Sequence, residues 1–118
     1  MNNCYDGQNT LVLVEPQSAT DTNITGEVVD ISSLTGKGLI LVNFGSNAGA
    51  DEVTLPLYEG DTNVPATLVE VLGTSLGDTG VYQYDIEPDA RKQYIQLIPQ
   101  VTGTVIVSAT LSAPLKYV

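Results

Sequence analysis

The stretch Thr104-Val105-Ile106-Val107-Ser108-Ala109-Thr110-Leu111 decides the fold class. Successive side chains of an extended chain point to opposite sides, so Val105, Val107, Ala109 and Leu111 share one face while Thr104, Ser108 and Thr110 share the other. One face is dry and the other wet. That is the pattern of a strand in a layered β protein, and a helix would scatter the same residues around its axis.

The pattern recurs along the chain. Runs rich in Val, Ile, Leu, Thr and Tyr extend over Thr10 to Glu15, Gly26 to Ile31, Gly38 to Phe44, Glu52 to Glu59, Ala66 to Leu72, Gly80 to Ile86 and Gln93 to Ile98. Each is bounded by Gly, Asn, Asp, Ser or Pro, and no helix of useful length fits between them. Val53, Leu55 and Leu57 fall on one face of their run, and Tyr82, Tyr84 and Ile86 on one face of theirs; with the four apolar residues of the last run they form the expected core. About eight strands joined by turn-rich loops predict an all-β, two-layer antiparallel sandwich, jelly-roll-like first and immunoglobulin-like as the alternative. A single domain over residues 1–118 is expected, with 1–8 and 112–118 as terminal arms.

Two runs break the pattern. Leu39, Ile40, Leu41 and Val42 are apolar on both faces, which predicts a strand that is central in the fold or covered outside by another subunit or a chain terminus. Pro56 interrupts the Glu52 to Glu59 run and has no N–H for a ladder, which predicts an edge strand or a bulge at that point.

Composition narrows the chemistry. The 118 residues include 14 acidic and 4 basic side chains, a net charge of −10, no histidine and one cysteine. Such a negative field repels nucleic-acid phosphates and anionic lipid surfaces, so neither nucleic acid nor membrane is an expected partner. Cys4 alone makes no internal disulfide and, without histidine, no structural zinc site. The start of the chain shows neither a basic leader nor a long apolar stretch, which fits synthesis in a cytoplasm.

Three enzyme-like or ligand-like strings have simpler readings. Asp78-Thr79-Gly80 matches the catalytic triplet of aspartic proteases, yet it sits late in the chain, and a turn between strands explains it. Asp21-Thr22-Asn23-Ile24-Thr25-Gly26 imitates the start of a calcium loop, but Ser32 stands where the bidentate glutamate belongs. Carboxylate pairs such as Glu52 with Glu59, or Asp85 with Glu87, are what an acidic surface produces by chance. No catalytic residue, metal site or cofactor is expected, and the protein is read as no enzyme.

From Asp21 onward the order of features resembles the small head decoration, or cement, proteins of tailed bacteriophages. The likeness is carried by Asp21-Thr22-Asn23 leading into Gly26-Glu27-Val28-Val29-Asp30-Ile31, by Leu39 to Gly45, by Val53 to Gly60, and by Val81 to Ile86 followed by Lys92 to Leu97. The resemblance implies a virion protein on the capsid exterior, assembled in the host cytoplasm, that bridges subunits of the major capsid protein. It also implies a homotrimer; three copies at −10 each carry −30, so apolar contacts must join them. Leu39, Ile40, Leu41, Val42 and Tyr58 are the candidate subunit contacts, and Tyr5, Leu115 and Tyr117 the candidate grips on the shell. A tail or neck component, and a calcium-dependent or carbohydrate-binding sandwich module, are the alternatives.

Overall fold

The computed structural model describes residues 8–47, 52–73 and 80–115. Ten strands follow in order: β1 Gln8–Thr20, β2 Val29–Asp30, β3 Gly38–Asn47, β4 Glu52–Thr54, β5 Pro56–Gly60, β6 Thr67–Val71, β7 Gly80–Ile86, β8 Tyr94–Leu97, β9 Gln100–Thr102 and β10 Thr104–Pro114. Among the described residues the one helical turn is the 3-10 segment Pro88–Ala90. One four-stranded sheet runs β1-β10-β3-β7, a second runs β2-β8-β5-β6, and β4 pairs with β9 as a short extension.

The pairings state the topology. First strand pairs with last (β1 with β10), and moving inward along the chain β2 pairs with β8, β3 with β7 and β5 with β6, all antiparallel. This is one long hairpin rolled on itself until β10 meets β3 and β5 meets β8. Rolling a hairpin in this way makes a jelly roll, and the immunoglobulin-like alternative is set aside by that strand order.

The core lies between the two sheets, where the alternation of the sequence places it. Val53, Leu55, Leu57, Val105, Val107, Ala109 and Leu111 are all buried, joined by Phe44, Ile95, Leu97, Leu13 and Leu34. Tyr82 and Tyr84 are half-buried at the margin, with the Tyr82 ring tilted against Phe44 at 5.1 Å between centroids. The accessible surface of 6319 Å² matches the roughly 6,200 Å² that the size law gives for a compact chain of this mass.

Three expectations change in detail. The Glu52 to Glu59 run divides at Leu55 into β4 and β5, because Pro56 has no N–H to continue the ladder; Leu55 instead exchanges backbone bonds with Gly73 and Leu72, both 2.8 Å. The expected irregularity is therefore present, as is a register shift between Leu57 and Tyr58, but β5 is an inner strand and not an edge. The third change concerns the ends. Ser112 to Pro114 belong to β10 and pair with β1, Thr35 N–H donates to the Pro114 carbonyl at 2.9 Å, and Leu115 bridges to Leu34, so 112–115 are fold and not arm.

One side of the sandwich is sealed by residues 22–28. Glu27 N–H donates to the Leu13 carbonyl of β1 and Gln96 Nε2 of β8 to the Gly26 carbonyl, both at 2.8 Å, which ties this segment to both sheets. Gly26 sits so close that a Cβ there would run into the Leu97 and Leu13 carbonyl oxygens. No side chain fits.

Candidate functional site

The outward face of the β1-β10-β3-β7 sheet is set by the registers. Val12, Thr110, Leu41 and Gln83 form one row across the four strands; Thr10, Ser112, Leu39 and Asp85 form the next; Ser108, Asn43 and Val81 form a third. Among these side chains only Asp85 is charged, in a protein with 14 acids. Val12 and Val81 are 44% and 58% exposed, and a shallow hollow lies over Leu41, Asn43, Val81, Ser108 and Thr110. The Thr10 and Ser112 hydroxyls meet at 2.9 Å and satisfy each other at the surface.

The doubly apolar run therefore serves two sides. Ile40 and Val42 are wholly buried in the core and have no surface to offer a partner, while Leu39 and Leu41 keep part of theirs on the outward face. The structure keeps Tyr58 apart from them. It lies half-buried on the outward face of the other sheet, opposite Gln96 and Leu68. Leu115 is half-buried against the core; Tyr5 and Tyr117 lie outside the described residues.

The conspicuous acids have structural work. Asp21 adopts a left-handed backbone (φ 47°), and its Oδ1 accepts from Gly103 N–H at 2.7 Å, closing the turn that begins the supposed calcium loop. Asp30 accepts from Ser32 N–H at 2.9 Å and from Gln93 Nε2 at 3.2 Å; the bonds from Ser32, then that from Gln93, hold its carboxyl below the ordinary value. Asp89 Oδ2 accepts from Thr35 Oγ1 at 2.7 Å and from Gly36 N–H at 3.2 Å. Glu59 accepts from Lys92 N–H at 3.0 Å and faces Arg91 at 3.7 Å. Asp78 and Thr79 of the protease-like triplet lie outside the described residues, and Gly80 begins β7.

A cavity of about 300 Å³ opens between β6 and β7, floored by Leu57, Val69 and Ile86 and rimmed by Glu70, Asp85, Glu87 and Arg91. Asp85 and Glu87, one of the carboxylate pairs noted in the sequence, both reach this rim. Burial, and next the neighbouring Tyr82, raise the Tyr84 phenol above its ordinary value.

No family model matches the chain, and no curated protein matches it. Solved structures do. The VP2 subviral particle of infectious bursal disease virus aligns with TM-score 0.63 and 12% identity over 92% of this chain and 32% of that one. YomS, a protein derived from the SPBc2 prophage, aligns with TM-score 0.54 and 16% identity over 90% and 93% of the two chains. The subunit of Bacillus endospore appendages, described as disulfide-linked pili, aligns with TM-score 0.53 and 16% identity over 92% and 88%. What is shared is the fold. The chain spans about a third of the VP2 length and nearly all of the other two.

The nearly uncharged face has the dimensions of a modest contact. Four strands at about 4.8 Å by seven residues at about 3.4 Å give ~450 Å² per partner, or ~900 Å² in total, near the low end for specific interfaces. Sequence inspection found Leu39 and Leu41 but not the Ser/Thr floor beside them. The signal was present, since every polar residue of the Thr104 to Leu111 run is a neutral hydroxyl.

Proposed function

We propose that the protein is a non-enzymatic structural component of a virus particle, a bacteriophage decoration protein that binds the outside of the capsid shell and bridges neighbouring major capsid subunits. The observation that carries this reading is the outward β1-β10-β3-β7 face, nearly free of charge on a chain of net charge −10. Desolvating hydroxyls, amides and leucines costs far less than desolvating carboxylates, so this is the face that docks with least penalty. The fold, also present in viral particle proteins, and the order of strand motifs support the same assignment.

The mechanism is mechanical. A shell under internal pressure parts at the contacts between its subunits, and a small protein seated across such a contact adds area that must be broken first. A single contact of ~900 Å² is weak, but many copies on one shell act together. Purified protein mixed with purified heads should co-sediment and raise the temperature at which heads release DNA; protein that binds no head overturns the reading. The near-complete mutual coverage with an appendage subunit favours a second reading, a tail or filament component, which predicts binding to tails in the same assay.

A further inference from the structure

The two sheets have four edges, and three are blunted. β1 carries register breaks between Val12 and Val14 and between Val14 and Gln17, with Pro16 inside them. β2 is two residues long. β6 is five residues long, bulged against β5, and bears Glu70. These are the devices by which sheet proteins prevent edge pairing. β7 has none of them. Its seven residues pair with β3 in unbroken register from Gly80 to Ile86, contain no proline and carry one charge, Asp85. Among the described residues no strand pairs with its other side.

Val81 of β7 is also exposed, at 58%, on the outward face of its sheet.

We propose that two copies of this chain join edge to edge through β7, antiparallel about a two-fold axis at Gln83. The choice of occupant follows from self-complementarity. Full overlap of Gly80–Ile86 with its copy requires this register, which sets Gln83 against Gln83, Tyr82 against Tyr84 and Val81 against Asp85. The half-buried tyrosines become cross-strand aromatic pairs, and no acid stands opposite an acid. The two Asp85 carboxylates lie four residues apart along the strands, about 14 Å, beyond the ~8 Å screening length at physiological ionic strength. The product is one eight-stranded sheet, which doubles the nearly uncharged outward face. A two-fold pair replaces the threefold assembly that the resemblance implies, and it stands whether or not the protein decorates a shell.

Sedimentation equilibrium of the whole chain tests this. The wild type should associate to a dimer, more strongly at higher salt because each copy carries −10. Val81→Lys places a cation opposite Asp85 and should tighten the dimer about fivefold, whereas Val81→Glu should loosen it at least fivefold. Val28→Asp, exposed and outside β7, should leave the dimer intact, and circular dichroism verifies that each variant is folded. A wild type that stays monomeric, or a dimer to which Val81→Lys and Val81→Glu do equal harm, overturns the proposal.

Discussion

Adjacent residues of β3 should respond unequally to truncation. Ile40→Ala removes three carbon groups from a site with no exposed surface. At about 0.8 kcal/mol per buried group the transfer loss is ~2.4 kcal/mol, and the cavity left between the sheets brings the total to ~3–4 kcal/mol. Leu41→Ala also removes three carbon groups, but from a partly exposed side chain on the outward face where no cavity is left, so the loss is ~1.5–2 kcal/mol. For a domain of this size about 4 °C accompanies each kcal/mol, so Ile40→Ala should lower the melting temperature by ~12–16 °C and Leu41→Ala by ~6–8 °C. Calorimetry, with urea midpoints as a second measure, reads the difference. Equal losses, or a larger loss at Leu41, would mean that β3 is shifted by one residue and that the proposed docking face is the core.

Other positions test the remaining supports. Gly26→Ala should prevent stable folding, because the added carbon enters the space of the Leu97 and Leu13 carbonyls; soluble expression and calorimetry check it. Asp21→Ala loses the bond to Gly103 and strains a left-handed backbone, and should cost ~1–3 kcal/mol in urea unfolding, with no dependence on added calcium. Asp30 has a folded-state pKa below its unfolded value, so its contribution is present above the ordinary carboxylate range, near pH 4, and is lost as pH falls through the folded value. Asp30→Asn should accordingly reduce the fall in melting temperature between about pH 5 and pH 2. Glu59→Gln, which removes the charge from a half-buried carboxylate that accepts from Lys92 N–H and faces Arg91, should cost ~1–2 kcal/mol in urea unfolding.

Much of the architecture was legible in side-chain alternation. The faces of the Thr104 to Leu111 run, the burial of Val53, Leu55 and Leu57, and the break at Pro56 all follow from period two and from a missing N–H. The partner of each strand was not legible. Alternation fixes which side of a strand is dry, but Leu41 beside Thr110 and Gln83 is a register between residues far apart in the chain. The candidate site suffered most from this. The run Leu39 to Val42 read as one contact surface, although alternate residues serve opposite faces, and Tyr58 was grouped with it although it belongs to the other sheet. The nearly uncharged face emerges only when β10 is laid between β1 and β3. Asp21 looked like the start of a calcium loop for a similar reason, since its hydrogen-bond partner Gly103 lies far along the chain.

The central claim is that the protein docks on a virion shell through the outward face of β1-β10-β3-β7. Its most direct test is a binding titration on purified heads with two charge insertions on opposite sides of the sandwich. Leu41→Asp should weaken binding at least tenfold while Tyr58→Asp, on the other sheet, leaves it unchanged. Loss of binding by Tyr58→Asp with Leu41→Asp unaffected, or no binding by the wild type, would contradict the account.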